Sequence, residues 1–294
     1  DPRITLAAQY DAKGPVYTVC GALGMIAAGI NDSVKVFRLR LVGIGSANNS
    51  PAPKVSGQSD PSADISSVAL EYVCGYSSNI VVLRLKAHGN LIVNGDLMRS
   101  ISILQLDTKK KADGTVSTSG DGPESEMYEL KEVARDQNTN YMRAIEALEG
   151  DFDDHYLGAD DSGNIFCVRR RLDASTEEDR TRMQAQAEMH VGEYINVFKH
   201  GSLSSQPTES SSANDDNGNV VNSSSSVLYG TVSGAVGCIL TVDKSTYDFF
   251  IAVQKAILTC VASVGGLSHT SWRTFTNDRR TCLQRNIVDG DVVE

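Results

Sequence analysis

Long apolar runs are missing from this 294-residue chain. None reaches the roughly 20 residues that a membrane-spanning helix needs, and the first residues carry no charged-then-apolar leader, so no membrane contact is expected. Basic charge is scarce as well. Lys and Arg number 27 against 37 Asp and Glu, a net charge of −10, whereas duplex binding rests on cations neutralising phosphates. The only basic runs, Lys109–Lys111 and Arg169–Arg171, flank loops and read as solvated edges. Aromatics make up 6% of the chain, with one Trp, which leaves little for base-stacking platforms interleaved with basic residues.

Paired cysteines are absent too. The six thiols, at 20, 74, 167, 238, 260 and 282, form no Cys-x-x-Cys and no metal-like spacing. Cys20, Cys167 and Cys238 fall in apolar strand-like runs, where a thiol behaves as a small hydrophobe, so a reducing intracellular compartment is expected. Catalytic groupings are equally missing. No Ser-His-Asp or Cys-His set has motif support, and Gly158–Gly163 lacks the Gly-Lys-Ser/Thr ending of a phosphate loop. Asp153-Asp154 and Asp160-Asp161 sit at Gly-flanked turns and read as solvated turn acids, while His190 and His200 read as packing or hydrogen-bonding groups. No catalytic, metal or cofactor residue is therefore assigned.

What is present is a repeat. His88–Leu104 reads as strand, tight turn, strand, with Gly95-Asp96 as the turn chemistry. The layout recurs at Met25–Phe37, Tyr156–Val168 and Val227–Ile239, aligned on Gly29, Gly95, Gly158 and Gly230. Further strands are expected at Val16–Cys20, Val68–Cys74, Ile80–Leu85, Tyr128–Val133 and Glu193–Phe198. Tyr141–Leu148 passes for a helix on propensity, but its place before the third hairpin predicts a strand. Ser175-Thr-Glu-Glu178 is a capping-box pattern predicting a short polar helix to about Ala187. From Ser245, Tyr247, Phe250, Gln254, Ile257, Leu258, Val261 and Val264 follow helical spacing up to Gly265-Gly266.

Four hairpin-centred strand groups separated by variable loops match radial repetition, a β-propeller. Four units make an arc of a ring, and the missing start methionine fits a fragment or processed chain. The fold class expected is all-β: a partial propeller of about four blades, a long α-helix and the start of a helical domain. Blades would occupy 1–243, with polar insertions near 43–67, 107–125 and 204–226. A helix and a returning aromatic strand that closes the propeller would fill 244–285, and the helical domain would begin in 286–294.

Ordered motifs add a family resemblance. Gly95-Asp-Leu-Met-Arg-Ser100, Glu132-Val-Ala-Arg-Asp136, His190–Leu203, Leu228-Tyr-Gly-Thr-Val-Ser-Gly234, Ser271-Trp-Arg-Thr-Phe275 and Val288-Asp-Gly-Asp291 occur in a fixed order. Together they resemble the family that holds the large subunit of the UV-damaged-DNA-binding complex, an adaptor of cullin-4 ubiquitin ligases. The large subunit of the cleavage and polyadenylation specificity factor is a broader relative. The resemblance implies three seven-bladed propellers, of which this chain covers later blades of the third. It also implies a nuclear and cytoplasmic scaffold in which substrate-receptor proteins insert a helical segment into a clasp between propellers, while cullin-4 binds parts absent here. DNA or RNA contact would be weak or indirect.

Family clasp positions fall on Leu83, Arg84, Leu97, Arg99, Tyr141 and Tyr229, with Tyr17 as a weaker candidate. At Arg84 the family tends to carry an aromatic residue, and its Asn-Pro-Asn-Trp-Met stands here as Asn138-Thr-Asn-Tyr-Met142. Leu97-Met98-Arg99 is apolar and basic where the other hairpins are polar, the composition of a helix-in-groove contact. The function expected is therefore a non-catalytic protein-binding scaffold. Its alternatives are a nucleic-acid-binding subunit of mRNA cleavage, polyadenylation or splicing machinery, and an enzyme with its site in a propeller channel.

Overall fold

The computed structural model describes residues 4, 6–42, 67–109, 127–202 and 226–293. The three polar insertions, apart from their edges, and Lys110-Lys111 lie outside those residues. Four antiparallel sheets follow one another along the chain. The first orders β1 (Val16–Ala22), β2 (Met25–Ile30), β3 (Ser33–Val42) and β4 (Ser67–Ser77). The second has β5 (Val82–His88), β6 (Leu91–Asp96), β7 (Ile101–Lys109) and β8 (Met127–Arg135). The third has β9 (Met142–Ala147), β10 (His155–Asp160), β11 (Asn164–Arg170) and β12 (Met183–His190), and the fourth β13 (Ile195–His200), β14 (Ser226–Thr231) and β15 (Val236–Leu240). Each sheet is a meander of sequential neighbours, and first strands lie beside first strands: β1 against β5, β5 against β9, β9 against β13. This is a four-bladed arc of a β-propeller.

The core lies between blades. One apolar layer joins Val34, Val36 and Met25 to Val82, Leu85 and Ile92. The next joins Val93, Ile101 and Ile103 to Met142, Ile145 and Tyr156, and a third joins Leu157, Ile165 and Cys167 to Ile195, Phe198 and Val227. Alternation along each strand sends every second side chain into one of these layers. The outward side of the first blade carries its own small cluster of Ala28, Ile30 and Phe37, with Tyr10 packed on Phe37 at 4.6 Å between ring centroids.

Repeat glycines mark where one blade meets the next. A Cβ on Gly29 would come within 2.4 Å of Val82 Cγ1, and one on Gly95 within 3.0 Å of Ile145 Cγ2. Register refines the alignment in the third blade. Thr18 pairs with Gly29, Arg84 with Gly95, Val197 with Gly230, and Ala144 with Ala159, so Ala159 rather than Gly158 is the equivalent residue.

Three local readings change. The helix expected to run to Ala187 is one turn, α1 (Glu177–Arg180), capped by Thr176 Oγ1, which accepts from Asp179 N at 3.2 Å. Met183–His190 instead pairs with β11 as the outer strand of the third blade, because ladder bonding and burial of Met183 and Met189 outweigh a weak helical propensity. The helix from 244 is present as α2 (Lys244–Cys260), but ends before Val261 rather than at the glycine pair. The segment 269–275, read as a returning strand, is mostly the short helix α3 (His269–Trp272), capped by Ser268. Only Phe275–Thr276 (β16) pairs, with Thr281–Cys282 (β17), in a two-stranded hairpin separate from the blades. A final turn of helix, α4, spans Gly290–Val293.

Candidate functional site: the mouth of the propeller arc

In every blade the first strand carries a bulge at the same place. Val16 and Thr18 take consecutive partners on β2, leaving Tyr17 extra. Leu83, Arg143 and Asn196 are the corresponding extra residues on β5, β9 and β13. A bulge bends the strand and re-aims the unpaired side chain. Register sets these four residues at the end of the blades where the β2–β3, β6–β7, β10–β11 and β14–β15 turns also lie.

Residues 97–99 do not follow a turn; they are the turn. Asp96 is buried and organises it, its Oδ1 accepting from Met98 N at 2.9 Å and Arg99 N at 3.0 Å, and its Oδ2 from Ile80 N at 2.7 Å. Leu97 N donates to Val81 O at 2.9 Å, which ties the turn to the start of β5 and so to Leu83. Met98 and Ile80 stand 37% and 43% exposed. Arg99 is exposed and its Nη1 donates to Ser78 O. Arg84 is half-buried; its Nε donates to Arg143 O at 2.8 Å and its Nη1 to Leu83 O at 3.0 Å. Burial, and after it the neighbouring Arg143 charge, pull its pKa below the usual arginine value.

Tyr141 precedes β9 at the same mouth and is covered on one side by the C-terminal hairpin. The Arg279 guanidinium lies 4.4 Å over its ring, and Tyr141, Asn140, Asp160, Ser162, Arg279 and Arg280 line one shallow cleft. Leu83, Arg84, Leu97, Arg99 and Tyr141 thus gather on two adjacent blades. Tyr229 stands apart on the fourth blade, where it packs against the layer between the third and fourth blades and lies across Gly237. Burial raises its phenol pKa, with the Asp291 charge adding to the effect.

Acids read as solvated turn groups are partly structural. Asp160 is buried, accepts from Ser162 N at 2.9 Å and Asn164 N at 3.0 Å, and pairs with Arg280 Nη1 at 2.8 Å. Its buried environment comes from the hairpin folding onto it, which a turn pattern cannot reveal. Asp153 remains exposed, 3.6 Å from His88 Nε2. His190 Nδ1 lies 2.8 Å from Asn164 Oδ1, with its ring stacked on Phe275. His200 Nε2 lies 3.8 Å from both Glu146 and Glu149 carboxylates. Trp272 is 49% exposed with Arg273 over its ring. Cys238, in an apolar strand, is exposed, because its side of the fourth blade faces outward. Among the described residues no group of three or more His, Cys, Asp or Glu could hold a metal ion, and no helix is long and apolar enough to cross a membrane.

Sequence reasoning missed Arg143 and the C-terminal cover. A signal for the bulge residues existed in part: Tyr17 and Leu83 stand at the same offset from Gly29 and Gly95. No local pattern announced that Arg279 and Arg280 return to the mouth.

Comparison with known proteins extends these observations. A family profile described as the CPSF A subunit region matches residues 63–294. The chain is 32% identical over 294 residues to DNA damage-binding protein 1a of Arabidopsis thaliana, covering 100% of this chain and 22% of the relative. DNA damage-binding protein 1 of Oryza sativa subsp. japonica and that of Solanum lycopersicum match at the same 32% identity and coverage. The chain therefore spans 22% of the length of these curated relatives.

Proposed function

Because the chain belongs to the family of the CPSF A subunit region, we propose that it is a propeller portion of a non-catalytic nuclear adaptor. The adaptor holds substrate-receptor proteins for a cullin-4 RING ubiquitin ligase that serves DNA damage repair. The relatives' name, DNA damage-binding protein, supports the repair context. The cullin contact belongs to parts of a longer protein not present in this chain.

One observation carries the reading: Leu83, Arg84, Leu97, Arg99 and Tyr141 gather at one mouth, beside the partly exposed Ile80 and Met98. Apolar, aromatic and arginine side chains on a rigid rim are hot-spot composition for a protein helix laid into a groove. The mechanism is geometric. Blades hold these groups in register, and no residue performs a chemical step.

Receptor capture by the full-length protein tests the proposal. Leu97→Asp and Tyr141→Ala are expected to abolish receptor binding while cullin binding persists. Undiminished receptor binding by a folded double variant refutes it. The resemblance to the cleavage and polyadenylation specificity factor also admits a role in mRNA processing. Salt-dependent RNA binding at micromolar concentration would favour that second reading, against which the net charge of −10 counts.

A further inference from the structure

Where β5 and β9 meet, basic side chains face acids away from the mouth, and at the mouth two arginines come together. His88 faces Asp153, with Nε2 to Oδ1 at 3.6 Å. Lys86 Nζ meets Glu146 Oε2 at 2.7 Å, the carboxylate being nearly buried. Two residues further toward the mouth, Arg84 Nε donates to the backbone carbonyl of Arg143 at 2.8 Å. Neither arginine has a carboxylate partner among the described residues. Like charges repel, and here a bond to the Arg143 carbonyl and the bulge at Arg143 fix the two residues beside each other. Among the described residues Arg84 donates only to the carbonyls of Leu83 and Arg143, with further guanidinium N–H groups left over. Arg143 is exposed. The chain as a whole is strongly acidic, so this pair is a local inversion of its charge.

We infer that Arg84 and Arg143 form a carboxylate-recognition site, and that the partner segment seated at the mouth is acidic and flanked by apolar side chains. The inference rests on the adaptor reading for the kind of partner and adds its chemistry. A single carboxylate between the two guanidinium groups supplies the missing counter-charge and accepts charge-assisted hydrogen bonds from both. Leu83, the bulge residue next to Arg84, and Leu97, Met98 and Ile80 around it take the apolar flanks. That apolar rim favours a peptide over a phosphate backbone, which offers charge without side chains to fill it. Arg84 also contributes specificity, because a neutral partner leaves the two like charges uncompensated.

Fluorescence anisotropy on the full-length protein tests this with three labelled probes. The first is a synthetic amphipathic peptide with leucines on one face and glutamates flanking them; the second replaces each glutamate with glutamine; the third is oligothymidylate. The glutamate peptide is expected to bind about tenfold tighter than the glutamine peptide, the scale of losing charge-assisted bonds at an interface. In Arg84→Gln/Arg143→Gln that preference is expected to fall to about twofold or less. Arg143→Gln alone, at an exposed side chain, is expected to remove part of the preference with an unchanged melting temperature, which separates recognition from folding.

Equal affinity for both peptides overturns the proposal, as does a preference untouched by the substitutions. Tighter binding of oligothymidylate, lost in the same double variant, overturns it in favour of phosphate. Receptor capture that survives Leu97→Asp while the glutamate preference is intact refutes the adaptor reading alone. Receptor capture lost in Leu97→Asp with no glutamate preference refutes the arginine pair alone.

Discussion

Arg273 and Asp289 meet in a two-pronged ion pair, Nε to Oδ2 at 2.5 Å and Nη2 to Oδ1 at 2.9 Å, with only 3% and 2% of the side chains exposed. His269 Nε2 reaches the same carboxylate at 2.8 Å, Asp291 takes the outer Nη2 at 2.7 Å, and Asp289 N donates to Gln254 Oε1 at 2.8 Å. Gln254 is the one buried residue of α2. The helix, α3 and the terminal turn are therefore held together by one polar knot.

Removing half of a buried ion pair leaves the other charge without compensation, so Asp289→Ala is expected to cost about 3–5 kcal/mol. Burial disfavours the ionised Asp289, but hydrogen bonds from Arg273 and His269, with their charges, outweigh it and hold the carboxyl below its ordinary value. A depressed folded pKa means the stabilisation is full above the unfolded value of about 3.9. It is lost as pH falls from there through the folded pKa. Acid titration of thermal stability checks this: the wild type should lose stability below about pH 4 more steeply than Asp289→Asn.

Arg280 binds the C-terminal hairpin to the third blade and to the segment just before it. Its Nη1 donates to Asp160 Oδ2 at 2.8 Å and to Asn140 Oδ1 at 2.5 Å, and its Nη2 lies 3.3 Å from Glu188 Oε2. Arg280→Met is expected to weaken this docking by about 1.5–3 kcal/mol, the value of hydrogen bonds to charged groups. Hydrogen exchange should then speed up at the amides of β16 and β17 while those of β10 stay protected. Uniform exchange across both would contradict a local role.

Gly29 is a packing glycine. Its backbone is not in the left-handed region, yet a Cβ would sit 2.4 Å from Val82 Cγ1 and 2.8 Å from Thr18 Cγ2. Gly29→Ala is expected to separate the first two blades slightly, at a cost of about 1–3 kcal/mol. Val82→Ala in the same molecule makes room, so the pair should be less damaging than the sum of the two single changes. Denaturant melts of all four proteins measure the coupling.

Thiol reactivity reports the blades directly. Burial pushes Cys167 up to about 12 and Cys282 up to about 12, and burial, partly offset by the Lys86 charge, raises Cys20 to about 11. Cys260 is exposed at the end of α2. Iodoacetamide at neutral pH is expected to label Cys260 well before these three, with the buried Cys167 and Cys282 reacting only on unfolding. Early labelling of Cys167 would place β11 outside a packed layer.

Much of this architecture was readable in the chain itself. Hairpin periodicity, with Gly29, Gly95 and Gly230 at one register position, is local information: alternation and turn residues act within a few neighbours. The same logic placed Tyr141–Leu148 as a strand against its helical propensity, and Met142–Ala147 is one. Where local signals were weak, tertiary pairing decided. Met183–His190 carries no strong preference, and the ladder with β11 settled it. Asp96 and Asp160 both read as turn acids, and both cap turns, but Asp160 became a buried ion-pair partner because Arg280 arrives from 120 residues away.

The candidate site divides along the same line. Leu97-Met98-Arg99 stood out as an apolar and basic hairpin among polar ones, so residue chemistry was visible from the start. That Leu83 is a bulge residue, that Arg143 occupies the matching place on the next blade, and that Arg84 and Arg143 lack a carboxylate partner among the described residues follow only from the tertiary structure. Sequence determines which side chains a hairpin offers, because turn chemistry and alternation are short-range. Which of them share a mouth, and which charge is left unmatched there, is decided by blades packing face to face, so closely at Gly29 that a Cβ has no room.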